Sequence, residues 1–265
     1  MTTQSDTVDI STLTKEDQRK IGGLDVTGAA GREPYINMLV YGIPGSGKTV
    51  LAGSANAVAA MSPVLVVDVE GGTFSLRATY PDVDVVRILK WADLQKVYNE
   101  LYRGDSGYKT IVLDSLTEIQ RLSMVTIMSD VVKEDNSRDP EVPSVREWGK
   151  NGEQLRRMVR AFRDLPMNVI FTALDLEDKD QKTGKVKHRP SLSGKMSQEV
   201  PGYMDICCYL HTFVVPHKDQ DPEVRRFLLT GATDTHVAKD RSGTLPLQVE
   251  EPSMQSIHDI IFNGD

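Results

Sequence analysis

Cysteine is nearly absent from this sequence. Only two occur in 265 residues, and they are neighbours, Cys207 and Cys208. Adjacent cysteines rarely bridge each other, so a disulfide framework is excluded and a reducing, cytoplasmic compartment is expected. No run is apolar enough to span a bilayer, and the polar stretch Met1 to Asp9 lacks the charged-then-apolar pattern of a signal peptide. No membrane association is therefore expected. Positive charge is not in excess either. The net charge of −7 argues against a body coated in DNA-binding charge, yet leaves room for one basic loop on an acidic surface. The histidines, His188, His211, His217, His236 and His258, show no metal-ligand spacing. Cys207-Cys208 lies in an apolar stretch where core packing accounts for it better than a metal does. No internal repeat is present.

What is present suffices for one large α/β domain with decoration. Hydrophobic residues make up 39% and charged residues 26%, ordinary values for a globular protein with a core. Residues 1–33 are polar and broken by Gly22-Gly23 and Gly28 to Gly31, and read as a partly ordered arm preceding a domain over 34–265. From there apolar runs alternate with helical stretches. Buried strands are expected at Tyr35 to Tyr41, Pro63 to Asp68, Val83 to Leu89, Thr110 to Asp114 and Asn168 to Ala173. Helices are expected at Thr49 to Met61, Trp91 to Arg103, Ser115 to Val132 and Arg146 to Leu165, with Ser115 as N-cap and Glu118 at capping-box spacing. Lys133 to Val145 reads as a loop, and Asp175 to Gln198 as a long segment without apolar periodicity, which in a compact domain is usually functional or disordered. Ile206 to Val215, Arg225 to Thr230 and His236 to Lys239 read as consecutive antiparallel strands. The fold class expected is a mainly parallel sheet flanked by helices, with an antiparallel extension at its end.

One motif carries the chemistry. Gly42, Gly47, Lys48 and Thr49 fulfil the pattern G-x-x-x-x-G-K-[ST] between an expected strand and an expected helix, the context that motif requires. The glycines let the loop curl so that its backbone N–H groups face an anion, with Gly42, Pro44, Gly45, Ser46, Gly47, Lys48, Thr49 and Val50 expected around the nucleotide. The following helix turns its positive end to the phosphates. Lys48 is expected on the β/γ-phosphates and the Thr49 hydroxyl on Mg²⁺, making ATP and Mg²⁺ the cofactors. Asp114 ends a strand at the edge where open α/β sheets bind ligands, and is the second candidate for the metal; the bland alternative is a helix cap. Glu70, after Asp68-Val69, emerges at the same edge and is the candidate base for water attack; otherwise it is a solvated turn residue.

These pieces together resemble the RecA-type branch of P-loop ATPases. In that family a strand ending Asp-x-Glu follows the P-loop helix, as Asp68-Val-Glu70 does here, and the Glu is the catalytic base. Its metal-site strand ends hydrophobics-Asp-Ser, matched by Ile111-Val-Leu-Asp114-Ser115. Lys239-Asp-Arg241 is similar to the Lys-x-Arg strand that reaches a neighbouring subunit's γ-phosphate. The resemblance implies catalytic roles for Lys239 and Arg241 in trans and a head-to-tail homo-oligomer, ring or filament. In wording and compact size the chain looks most like the phage RecA-like single-strand annealing ATPases, which implies single-stranded DNA and a single-strand-binding protein as partners. At the place where RecA has a glutamine coupling nucleotide to DNA, this chain has Leu174, with Thr172 and Asp175 as the nearby polar substitutes.

Lys179, Lys182, Lys185, Lys187, Arg189 and Lys195 crowd the segment where such proteins present a DNA-binding loop. Cations on a loop suit phosphate contacts that do not read sequence, and the run has no aromatic for base stacking. An ordinary solvated hairpin is the alternative. Lys133 to Arg146, with Trp148 just beyond, is a second candidate loop. The expected function is a DNA-stimulated ATPase that oligomerises on single-stranded DNA and promotes annealing or recombination. The rivals are a ring-type DNA motor (helicase or packaging ATPase) and a P-loop small-molecule kinase.

Overall fold

The computed structural model describes residues 20–25, 35–179, 181, 184–216 and 221–264. Two short strands, β1 (Lys20–Ile21) and β2 (Leu24–Asp25), pair as an antiparallel hairpin in a unit separate from the body that begins at Tyr35. The rest of the arm read over 1–33 lies outside the described residues.

The body is built on one sheet, ten-stranded among the described residues. Its strands are β3 (Asn37–Gly42), β4 (Val64–Asp68), β5 (Asp84–Arg87), β6 (Thr110–Asp114), β7 (Asn168–Lys179), β8 (Val186–Pro190), β9 (Ile206–Val215), β10 (Glu223–Leu229), β11 (Lys239–Asp240) and β12 (Gln248–Glu250). The order is β12-β10-β9-β3-β7-β6-β4-β5, with β11 on β9 and β8 on β7. Strands β5, β4, β6, β7, β3 and β9 run parallel, and β10, β11, β12 and β8 are antiparallel additions. Between the P-loop strand β3 and the strand ending in Asp114 stands β7.

Alternation along the buried strands feeds two cores. Leu39, Tyr41, Leu113 and Phe171 face one side and meet α3 (Trp91–Arg103), α4 (Leu116–Glu134), α5 (Val145–Arg163) and α6 (Met196–Tyr203) through Leu94, Leu101, Ile119, Leu155, Phe162 and Val200. Met38, Val40, Val66, Val112 and Ile170 face the other, against α1 (Lys48–Gly53), α2 (Leu76–Thr79) and α7 (Met254–Phe262). A sheet covered on both faces is what parallel pairing demands. Cys207 and Cys208 are fully buried, one in each core. Among the described residues no helix is long and apolar enough to cross a membrane.

Three expectations change. The helix over 49–61 stops at Gly53 and tightens into a 3₁₀ turn, Ser54–Ala57. The segment 175–198 is not an unstructured loop. β7 continues past Ala173 to Lys179, pairs with β8, and α6 begins at Met196. Past Ala173 that strand leaves the core and is exposed on its outer part, so no apolar alternation marks it. The third change concerns β5: the buried strand expected at Val83 to Leu89 is Asp84–Arg87, a largely exposed strand at the edge of the sheet. Strand β9 is antiparallel to β10 and β11, as expected, and joins them to the parallel sheet through β3.

Candidate nucleotide site at the edge of the sheet

The strand ends converge on the loop between β3 and α1. Gly47 has φ 101 and Gly45 φ 78, values that favour glycine and let the chain reverse within a few residues. Gly42 is equally constrained by space: a Cβ there would lie 2.3 Å from the Leu210 carbonyl oxygen of β9. Lys48 is the first residue of α1 and is buried. Its ammonium donates to the carbonyls of Gly42 at 3.0 Å and Ile43 at 2.9 Å. Burial pushes its pKa down, opposed by the carboxylates of Asp114, Glu70 and Asp175. Three acidic groups thus bear on this lysine, from the end of β6, the turn after β4 and the middle of β7.

Thr49 donates its hydroxyl to Asp114 Oδ2 at 2.7 Å. The other oxygen, Oδ1, accepts a hydrogen bond from Thr172 on β7. Asp114 is 2% exposed, so these bonds satisfy a carboxylate that burial would otherwise penalise. Ser115 does serve as N-cap of α4, accepting from the Glu118 N–H at 3.5 Å. The capping role therefore falls to the neighbouring serine, and the Asp114 carboxylate faces the P-loop.

Glu70 is exposed on the turn after β4. Asp68 shapes that turn: it accepts from the Gly71 N–H at 2.6 Å and the Thr73 hydroxyl at 3.0 Å, and pairs with Arg87 at 3.0 Å. The turn packs onto the P-loop side, since a Cβ at Gly72 would meet Thr49 Oγ1 at 3.9 Å and Asp114 Oδ2 at 4.0 Å. Lys48, Thr49, Asp114 and Glu70 are thereby brought to one edge.

A phosphate chain fits this cradle. Ser46 Oγ is buried without a hydrogen-bond partner, an orphan that an anion's oxygens would satisfy together with the Lys48 ammonium. Among the described residues no group of three or more His, Cys, Asp or Glu has the geometry to hold a metal. Thr49 and Asp114 are the side chains placed to hold Mg²⁺, an ion that commonly takes one or two protein ligands and completes its shell with phosphate and water.

The remaining sequence candidates lie elsewhere. Lys239 donates to the carbonyls of Pro201 and Gly202, and Arg241 bonds Asp205 at 2.9 Å and Gly202 O at 3.1 Å. β11 pairs with the first residues of β9, which sit beside Met38 and Leu39 early in β3; both cations are therefore at the end of the sheet away from their own P-loop. Lys179, Lys185, Lys187 and Lys195 are exposed around the β7–β8 hairpin, and Lys182 lies outside the described residues. Arg189 is largely covered and pairs with Asp178.

Sequence reasoning passed over some neighbours. Asp175, read from the sequence only as a polar substitute, lies where β7 leaves the core and accepts a hydrogen bond from the His188 ring at 2.7 Å, and His188 stacks on His236 with centroids 4.5 Å apart. Arg226 of β10 reaches the P-loop itself: a Cβ at Gly47 would meet its Nε at 3.0 Å. No sequence pattern distinguishes it from its neighbour Arg225.

A family model described as AAA domain matches residues 35–242. Comparison with curated protein sequences returns no match. Among solved structures, an ATPase of the type III secretion system of pathogenic bacteria aligns at 19% identity and TM-score 0.45 over 66% of this chain, which spans 51% of that protein's length. The RadB recombinase aligns at 18% identity and TM-score 0.45, covering 81% of this chain and 86% of that one. The Legionella pneumophila ATPase DotB aligns at 11% identity and TM-score 0.33, over 74% and 46% respectively. With the family match running from the P-loop strand to Arg241 and beyond, the chain belongs to the AAA domain family and is an ATPase.

Proposed function

We propose that this ATPase works on single-stranded DNA: with ATP and Mg²⁺ bound, copies of the domain over 34–265 assemble head to tail on the strand and promote annealing or homologous recombination, as the phage RecA-like annealing ATPases do. The observation that carries the reading is the course of β7. Leu174 pairs with Gly42 at the mouth of the P-loop, Asp175 bears on Lys48, and four residues further the same strand ends at Lys179 in the basic hairpin. One continuous element thus joins the phosphate cradle to a cation-rich tip, a route by which nucleotide state can bias DNA affinity.

The surface beside that hairpin suits an unpaired strand. A cavity of about 970 Å³ opens between α4, the start of α5 and the turn 191–198. Trp148, Arg121 and Arg189 line it, supplying an aromatic face and cations, the combination that holds single strands by stacking and phosphate contact. Lys179, Lys185, Lys187 and Lys195 extend the positive rim. Glu177 and Asp178 face His188 and Lys187 across the hairpin, so part of its charge is balanced, and the affinity expected from the exposed lysines falls with salt.

In the chemical step Lys48 and the P-loop N–H groups would hold the phosphates, and Thr49 and Asp114 the Mg²⁺, whose charge assists departure of the ADP oxygen. Glu70 takes a proton from the attacking water as the new O–P bond forms and the bridging P–O bond breaks. Lys239 and Arg241, remote from their own P-loop, would serve a neighbour's, which requires a head-to-tail contact. A single-strand-binding protein is a natural further partner on the same DNA.

Fluorescence anisotropy with a labelled single strand, across a salt series and with or without a non-hydrolysable ATP analogue, tests the reading. Binding that weakens with salt and changes with nucleotide is expected, as is its loss when Lys179, Lys185 and Lys187 become Glu. No binding at low salt in either nucleotide state would contradict it.

A further inference from the structure

The clearest feature not absorbed by this account is Arg226. It sits on β10 opposite Thr212 of β9, beyond the point where Leu210 packs against Gly42. The strand carries two adjacent arginines with opposite fates. Arg225 is paired, at 3.1 Å to Glu223 and 2.9 Å to Glu250. Arg226 shares the parity of Leu228, which faces the α1 core, and its side chain lies over the P-loop. Among the described residues its guanidinium has no hydrogen-bonding or ionic partner.

Its position is held by the backbone. Glu251 accepts the Arg226 N–H at 2.7 Å through its side chain and donates its own N–H to the Arg226 carbonyl at 2.8 Å. Glu251 is the one non-glycine residue with positive φ among those described, at 43°, a conformation that is uncommon outside glycine and often marks a constrained site. The P-loop makes room in return. A Cβ at Gly47 would meet Arg226 Nε at 3.0 Å and Cδ at 3.4 Å, so glycine, favoured here by its φ, also leaves Arg226 room to lie against the loop.

A guanidinium with no carboxylate beside it lies against Gly47, in the same loop whose next residue, Lys48, supplies a buried ammonium. Such an array is reconciled by an anion. We infer that Arg226 is a phosphate-binding residue supplied in cis from β10, reaching over Gly47 to the oxygens of a bound nucleoside polyphosphate. The inference rests on the nucleotide reading of the P-loop and adds to it a second cation from the far side of the loop, one belonging to the same subunit, unlike Lys239 and Arg241. Its planar fork suits two phosphate oxygens at once, which lysine does not match.

The test is a titration with a fluorescent non-hydrolysable ATP analogue of the wild type, Arg226→Ala, Arg226→Lys, Arg225→Ala and Lys48→Ala, with a melting curve of each variant free of nucleotide. Arg226→Ala is expected to weaken binding by about tenfold or more, with Arg226→Lys intermediate, Arg225→Ala as the wild type, and the nucleotide-free melting temperature of Arg226→Ala unchanged. Wild-type affinity in Arg226→Ala alongside a loss in Lys48→Ala would overturn the role of Arg226 alone. Wild-type affinity in both would overturn the nucleotide site with it. A loss in Arg226→Ala matched by a fall in the nucleotide-free melting temperature, and by full recovery in neither respect with lysine, would make the residue structural and overturn the inference.

Discussion

Thr49 and Asp114 are joined across the nucleotide site: the hydroxyl at the start of α1 donates to the carboxylate that ends β6, over 2.7 Å. Thr172 holds the second carboxylate oxygen from β7. The pair, 65 residues apart in sequence, is thus oriented before any ligand arrives, which limits the reorganisation needed to take Mg²⁺.

Substitution of either partner should appear as a metal requirement. Thr49→Val and Asp114→Asn are each expected to raise the Mg²⁺ concentration for half-maximal hydrolysis by about tenfold or more. A magnesium titration at saturating ATP reads this directly; curves that superimpose on the wild type would remove both residues from the metal site.

Glu70 differs from its neighbour Asp68 in being exposed and unspent on the turn. Glu70→Gln should keep nucleotide affinity while lowering turnover by roughly a hundredfold or more. Asp68→Asn should instead loosen the turn, because its carboxylate holds Gly71, Thr73 and Arg87. Equal turnover in Glu70→Gln and the wild type would exclude it as the base.

Arg241 is expected to act through a neighbour. Mixing Arg241→Ala with Lys48→Ala protein should restore a fraction of hydrolysis, since some hybrid interfaces would combine an intact P-loop with an intact finger. Assembly without rescue, checked by light scattering, would argue against a trans role.

The histidine cluster beside the site gives a pH signature. Burial holds both His211 and His236 below the ordinary value of 6.5, with His188 adding to the effect on His236. The native state therefore binds fewer protons than the unfolded chain as pH falls below about 6.5. Their contribution to stability is full above that value and is lost as pH drops towards the depressed native values. Urea midpoints at pH 7.5 and 5.5 should differ more for the wild type than for a His211→Gln/His236→Gln double variant; an equal drop in both would contradict the assignment.

The P-loop and the parallel strands were legible because each signal is local. A glycine-rich phosphate motif fixes its own backbone, and strands such as Thr110–Asp114, buried on both faces, read as continuous apolar runs. The β7–β8 hairpin was not legible, because its outer residues are exposed and carry no alternation. Helix α6 was masked by Pro201 and Gly202 within it, residues that usually argue against a helix. The start of α5 was legible in principle, through Ser144 and Glu147 at capping-box spacing. Arg226 gave no signal, since its meaning comes only from the strand pairing that carries it to the P-loop.

The central claim is that nucleotide turnover is coupled to single-stranded DNA. The most direct measurement is ATP hydrolysis with and without a single strand, over a salt series, with duplex DNA as control. The account predicts stimulation by the single strand that fades as salt rises and is weak with duplex. Hydrolysis unchanged by single-stranded DNA at every salt concentration would contradict it, leaving an ATPase whose substrate lies elsewhere.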